Sequence, residues 1–177
     1  MMRLTMARGR AGRRWRLGLV LLVGCAVAAC APTFFGGDLQ RATRGPSADE
    51  VWLARFLQGY GRLPTFDERT VWKEGFESRI LTYLSRRPEL ATSLRASQLR
   101  TQRVPVVGMQ KDDVIVLLEQ PDAVTSDPAA MRAAAGHFWP PIEKHAKEMW
   151  TYPNGWQLYF DGDQLADVIV AGHSPME

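Results

Sequence analysis

Histidines are the side chains of this chain that could bind a metal or move a proton near neutral pH. The sequence contains three of them, His137, His145 and His173. Seven residues separate His137 from His145, which is not a usual ligand spacing, and no neighbouring pattern completes a metal site. We therefore predict surface or capping roles for the histidines, no metal or other cofactor, and no enzymatic activity.

Two pairs of carboxylates are the other candidates for metal binding. Asp112 and Asp113 fall in the first turn of a helix predicted over 110–118, on its polar side, where acidic residues favour the helix dipole. Asp161 and Asp163 flank a glycine in a predicted hairpin, where aspartate supports the turn. The sequence has no nucleophile elbow, P-loop or dinucleotide-binding fingerprint. No small-molecule substrate is indicated.

The two cysteines, Cys25 and Cys30, offer a different chemistry. Each follows small residues at the end of a short apolar run, and the run follows a stretch rich in arginine. This order predicts an export signal, because the run is too short for a membrane-spanning helix. Cysteine after small residues resembles the lipobox of bacterial lipoproteins, in which the lipidated cysteine becomes the mature N-terminus.

The sequence leaves two choices for the lipidated residue. Cys25 follows Leu-Val-Gly, the closer match, but only eight residues separate it from the last arginine of the signal. Cys30 follows Val-Ala-Ala and leaves thirteen. We predict Cys30, acylated with chains such as palmitate, and a signal peptide over 1–29; Cys25 is the alternative, and an ordinary cleaved signal is a third possibility.

The charge distribution argues against a nucleic-acid partner. The chain of 177 residues has 22 Lys+Arg against 19 Asp+Glu, but six of the arginines lie within 1–30, which holds no acid. The remaining residues carry 16 bases against 19 acids, so the basic surplus belongs to the predicted signal. The chain as a whole is 46% hydrophobic and 23% charged, which is the composition of a globular protein. The residues after the predicted signal are enough for one compact domain.

Three segments follow the predicted signal. Residues 30–46 are punctuated by Gly, Thr and Pro and predict a flexible tether. Residues 47–100 predict a helical extension, since Ser47–Glu50 and Thr65–Glu68 both have capping-box spacing. The last segment, 101–177, predicts an α+β domain.

This last segment combines one helix with several strands. Gln102–Val107 reads as a strand, and Val114, Leu117 and Leu118 form the apolar face of the helix over 110–118. Three further strands, separated by Pro-Asn-Gly and Asp-Gly-Asp turns, predict a β-meander over 148–152, 156–160 and 164–170.

Alternation along the middle strand assigns its two faces. Trp156, Leu158 and Phe160 share one face, and Gln157 and Tyr159 share the other. We therefore predict a two-layer α+β fold, with helices on one face of a three-stranded antiparallel sheet and the other face open. The candidate partner-binding residues are those on the open face, Gln157 and Tyr159, and those of a nearby aromatic loop, Phe138 and Trp139. The alternative is that Phe138 and Trp139 fold back over the sheet.

One further pattern runs through residues 107–170 of the same segment, at Gly108, Met109, Val114, Leu118, Pro121, Trp150, Tyr152, Phe160 and Leu165. In this pattern the segment resembles the BamE (SmpA/OmlA) family of outer-membrane lipoproteins. Glu119 replaces the glycine with which the family ends its helix, the segment from Pro121 to Trp150 is longer, and 47–100 has no counterpart. The resemblance implies helices on a three-stranded sheet and an accessory role in β-barrel assembly.

These features lead to one expected function and one alternative. We expect a lipid-anchored, non-enzymatic lipoprotein of the outer membrane that faces the periplasm and contacts envelope proteins, among them the β-barrel assembly machine. Ala31 follows Cys30, and the aspartate that retains lipoproteins in the inner membrane of enteric bacteria is missing there. The alternative is a lipoprotein binding module, an inhibitor or stress adaptor, unrelated to barrel assembly.

Overall fold

A computed structural model describes residues 38–90 and 92–172, which belong to one compact unit. The predicted signal peptide, Cys25, Cys30 and His173 lie outside the described residues. The strands are β1 (Leu39–Ala42), β2 (Ala123–Thr125), β3 (Glu148–Tyr152), β4 (Trp156–Asp161) and β5 (Gln164–Ala171). The helices are α1 (Ala48–Tyr60), α2 (Phe66–Ser85), α3 (Leu94–Thr101), α4 (Lys111–Leu118), α5 (Pro128–Ala135) and α6 (Trp139–Ile142).

The strands form one open antiparallel sheet in the order β1-β5-β4-β3-β2. The α+β class and the meander of β3, β4 and β5 are confirmed. The predicted three-stranded sheet is wrong, because β1 and β2 extend it at its two edges. Neither edge strand has the alternating apolar pattern of a half-buried strand, so only their pairing with the meander reveals them.

Strand β1 lies inside the predicted tether, and the prediction is wrong from Leu39 onwards. Leu39 packs against the core beneath α5, and Arg41 donates from Nε to both carboxylate oxygens of Asp167 at 2.9 and 3.0 Å. Gly136, after α5, has φ 54, and a Cβ there would lie 2.8 Å from Cδ1 of Leu39. One buried carboxylate and one close glycine contact therefore hold this short edge strand.

Helices α1 to α4 cover one face of the sheet. Both predicted capping sites are confirmed: Ser47 accepts from the Glu50 N–H, and Thr65 and Glu68 form a complete capping box. The predicted helical extension shares a single core with the sheet. Buried apolar residues from both parts form that core, among them Val51, Phe76, Ile80, Leu99, Val114, Leu117, Leu158 and Phe160.

The strand predicted for Gln102–Val107 is wrong. Arg103 adopts φ 53, outside the extended region, and Pro105 has no N–H to donate to a ladder. The segment instead forms an isolated bridge between Val106 and Arg44, and the Gly45 N–H donates to the Pro105 carbonyl at 2.8 Å. These bonds link the entry to α1 with the entry to α4.

The second face of the sheet is also covered, so the predicted two-layer arrangement is wrong. Residues 128–142 form α5 and α6 across this face. Their apolar side chains and those of the sheet form a second core, made of Met131, Ala134, Ala135, Trp139, Ile142, Ala146, Met149, Tyr159 and Ile169. The sheet therefore lies between two helical layers.

Candidate functional site

The residues predicted to bind a partner lie mostly in the interior. Gln157 and Tyr159 are buried on the second face, where the Tyr159 hydroxyl donates to Gln157 Oε1 at 2.8 Å. Burial raises the pKa of Tyr159 above its usual range. Trp139 is buried, and Phe138 is half-buried with its ring 3.9 Å from that of His137. The open-face surface is therefore a wrong prediction, and the fold-back alternative describes this loop.

One of the described histidines lies beside a carboxylate. His145 is exposed, with Nδ1 3.3 Å from a carboxylate oxygen of Asp161. In the part of the chain that the structure describes, no group of three or more His, Cys, Asp or Glu side chains could hold a metal ion. Among residues 38–90 and 92–172, none of the helices combines the length and hydrophobicity needed to cross a bilayer.

Asp113 is the first-turn carboxylate whose environment was not predicted. Its side chain is completely buried, although we expected it on the polar side of α4. It accepts from the Tyr83 hydroxyl at 2.7 Å and from the Gln110 N–H at 3.0 Å, and it forms an ion pair with Arg95. Desolvation, and then the hydrogen bond to Asp113, raise the pKa of Tyr83 above its usual range. Asp113 therefore joins α2, α3 and α4.

The feature that qualifies best as a binding site is an aromatic cleft between α1 and α2. Trp52 and Trp72 stack face to face with ring centroids 4.8 Å apart, and Phe56 lies 5.5 Å from Trp52. The cleft has a volume of about 220 Å³ and reaches down to Leu117 and Leu118 at the end of α4. All three rings are only half-buried, so they form walls that a ligand could contact.

Two arginines form the polar floor of this aromatic cleft. Arg55 donates to the Leu118 carbonyl at 3.0 Å and to Asp122 at 2.9 Å. Arg79 donates to the Val116 carbonyl at 2.8 Å and to Glu119 at 2.6 Å. Both guanidinium groups lie at the C-terminal end of α4, where positive charge favours the helix dipole. Their charges are matched by carboxylates, so the floor is polar but balanced.

Beyond the cleft, large apolar side chains surround the turn that joins α1 to α2. We call this set the apolar tip. Its exposed fractions are 67% for Tyr60, 64% for Leu63, 81% for Phe66 and 69% for Val71. The four residues fall between positions 60 and 71 and flank one turn. Exposed apolar side chains gathered in this way often mark a contact site.

The capping box of α2 fixes the shape of the turn. The Thr65 N–H donates to Glu68 Oε2 at 2.7 Å, and Arg62 donates to the same carboxylate at 2.9 and 2.7 Å. The hydrogen bond from Arg62, followed by that from Thr65, lowers the pKa of Glu68 to about 2. The Arg62 guanidinium also lies 5.3 Å from the centre of the Phe56 ring. The turn is therefore tied to both helices.

The four-residue spacing of Trp52, Phe56 and Tyr60 places these rings along one side of α1, and the sequence contains that signal. Such spacing usually indicates core packing, and it does not reveal that the last ring lies beyond the body of the protein.

No known protein family, curated protein or solved structure matches this chain.

Proposed function

We propose that this protein is a lipid-anchored, non-enzymatic envelope lipoprotein that works through protein contacts as an accessory component of outer-membrane β-barrel assembly. The observation that carries the proposal is the aromatic cleft, a site open to solvent and walled by Trp52, Phe56 and Trp72. An apolar cleft lined by aromatic and arginine side chains has the composition of a protein-interaction hot spot.

The cleft suits an uncharged apolar side chain from a partner protein. Aromatic walls favour an aliphatic or aromatic anchor residue, which loses water-exposed area on entry. Arg55 and Arg79 already have carboxylate partners in Asp122 and Glu119, so the floor has no unmatched charge to attract an ionic ligand. A volume of about 220 Å³ is on the scale of one large side chain.

The residues that carry the family resemblance support the fold on which this proposal relies. Gly108 adopts φ 99, and its N–H donates to the Leu165 carbonyl at 2.8 Å, which joins the entry of α4 to the β4–β5 hairpin. Glu119 ends α4 with φ 63 and ψ −165, a conformation that is common for glycine and strained for glutamate. The Tyr152 hydroxyl donates to the Glu119 carbonyl at 3.0 Å. The helix therefore ends at the position where the family has glycine, but with a strained backbone at Glu119.

The anchor is tested by mass spectrometry of the mature protein. We expect the N-terminal peptide purified from membranes to begin at Cys30 and to carry lipid, because the thirteen-residue apolar run ends there and small residues precede the cysteine. A lipidated peptide beginning at Cys25 would move the anchor by five residues. An unmodified peptide beginning elsewhere would contradict the lipoprotein assignment.

The partner contact is tested by co-purification from detergent-solubilised membranes. We expect subunits of the β-barrel assembly machine to accompany the wild-type chain and to be lost from Phe56→Ala, which removes one wall of the aromatic cleft. Leu53→Ala is the matched control, since Leu53 is half-buried on the same helix but does not line the cleft. Melting temperatures of the two variants show whether their stabilities are comparable.

The outcome separates the two functions that the sequence allows. Retention of these subunits by Leu53→Ala and their loss from Phe56→Ala supports a contact at the cleft. Equal retention by both variants contradicts the cleft as the contact site. Wild-type protein that brings down a different envelope protein, and no assembly subunit, favours the alternative of an inhibitor or stress adaptor.

A further inference from the structure

The apolar tip, formed by Tyr60, Leu63, Phe66 and Val71, adjoins the aromatic cleft, since Tyr60 and Val71 line a shallow pocket together with the rings of the cleft. All residues from 57 to 63 are exposed, which includes the last turn of α1 on every side of the helix. A helix that packs against a body buries one face, so this end of α1 extends clear of the domain. Phe66 is the first residue of α2, a position at which the helix does not need an apolar side chain.

The end of α1 and the beginning of the described chain lie at the same end of the sheet. The Gly172 N–H, after β5, donates to the Asp38 carbonyl at 2.7 Å, so β1 begins where β5 ends. Helix α1 runs along this end, because Trp156 at the start of β4 donates from Nε1 to Glu50 at 2.8 Å. Further along the helix, Arg55 donates to the Gln120 carbonyl, just before β2, at 2.6 Å. Helix α1 therefore runs along this end from β4 toward β2, and the tip continues from it at the edge of the sheet opposite to β1.

The length of chain between the predicted anchor and the domain brings that end close to a membrane. Eight residues lead from Cys30 to Asp38, and eight residues span at most about 29 Å even when fully extended. We propose that the apolar tip inserts into the lipid surface to which the chain is anchored. This inference rests on the lipid anchor of the proposed function, and it identifies a second contact with the same membrane.

The composition of the tip fits the interfacial layer of a bilayer. Tyrosine side chains such as Tyr60 concentrate at the level of the headgroups, where the ring meets hydrocarbon and the hydroxyl meets water. Charges around the tip are balanced, since Arg62 pairs with Glu68 and the exposed Arg69 and Lys73 are offset by Asp67 and Glu74. The attraction is therefore apolar, and it does not require anionic lipid.

A membrane-bound tip leaves the aromatic cleft at the membrane surface. The cleft and the tip share Tyr60, and both lie between the first two helices. Two attachments, one lipid and one tip, restrict rotation of the domain more than a single tether does. The cleft then meets other membrane-anchored proteins in a limited range of orientations, which raises its effective concentration toward them.

The test places an environment-sensitive fluorophore on the tip of the full, lipidated chain in phosphatidylcholine vesicles. Phe66→Cys carries the label, and Leu94→Cys is the control. Leu94 is similarly exposed, at 76%, but follows the opposite end of α2, a helix of 20 residues and so about 30 Å long. We expect a blue shift and quenching by brominated lipids at position 66 and neither change at position 94.

Salt and flotation complete the test. Quenching at position 66 should persist when NaCl is raised from about 0.1 to 1 M, which shortens the Debye length from about 10 to 3 Å. Vesicles that carry the protein without quenching at position 66 overturn the tip proposal but leave the anchor intact. A change at position 66 that requires added membrane proteins, or that accompanies dimerisation of the chain, identifies a protein contact and also overturns it. Protein that fails to float with vesicles contradicts the anchor and the tip together.

Discussion

Asp113→Ala should lower the free energy of unfolding by about 3 kcal/mol, the lower end of the range for breaking a buried ion pair. Asp112→Ala should lower it by no more than about 1 kcal/mol, the usual limit for an exposed pair. The two aspartates are adjacent on α4, and both are paired with arginine. Their side chains differ in exposure, with 0% for Asp113 and 60% for Asp112.

The expected difference follows from what each deletion leaves behind. Without Asp113, the Tyr83 hydroxyl and the Gln110 N–H lose their acceptor, and Arg95 keeps a charge whose partner is gone. The Arg95 side chain is about a quarter exposed and can recover some hydration, hence the lower end of the range. Without Asp112, Arg87 remains at the surface, where water replaces the lost partner.

Chemical denaturation of the two variants measures both changes, and a double-mutant cycle with Arg95→Ala isolates the ion pair. If the pair is buried and coupled, the Asp113 and Arg95 substitutions together should cost less than the sum of the two single substitutions. Strictly additive costs, or equal effects of Asp112→Ala and Asp113→Ala, would show that Asp113 is solvated.

The position of Asp113 also shows where inference from the sequence ends. Residues 113 and 117 are four apart, so the helical period places Asp113 beside the buried Leu117. Its charge, by contrast, predicts a position on the polar side of the helix. The residues that make burial possible, Tyr83 and Arg95, come from two other helices. Local periodicity contains no information about such distant partners.

Local chemistry did predict the central part of the fold. The meander of β3, β4 and β5 depends on turn residues with positive φ, and Asn154, Gly155 and Gly162 adopt them. The two capping motifs define the starts of α1 and α2 from residues three apart. Each of these features is determined within a few residues, so a short stretch of sequence is sufficient to predict it.

The edge strands and the second helical layer depend on contacts between distant segments. Strand β1 has only four residues and is held in place by Asp167, which lies 126 positions away from Arg41. Helix α5 is rich in alanine, and its sequence does not specify which surface its small side chains will cover. The aromatic cleft was missed for a related reason, because regular aromatic spacing is the same in a core and in a half-exposed wall.

Trp139→Ala should lower the free energy of unfolding by about 3–5 kcal/mol, the range for truncating a buried aromatic side chain. Trp139 is only 5% exposed and belongs to the second core, with Ile142 from α6 and Tyr159 from the sheet. Truncation leaves a cavity between the helices and the sheet that this tightly packed layer can fill only in part.

Pro141→Ala is the matched control for Trp139→Ala, because Pro141 is exposed on the same short helix. Its cost should stay within about 1 kcal/mol, because the main effect of replacing this proline is a more flexible unfolded chain. Thermal or chemical denaturation decides between two roles of the loop. A marked loss of stability in Trp139→Ala alone places the aromatic loop in the core. Unchanged stability in both variants, together with loss of co-purifying proteins from Trp139→Ala, would instead make this loop the partner surface. That result would contradict the proposal that the aromatic cleft between α1 and α2 is the contact site.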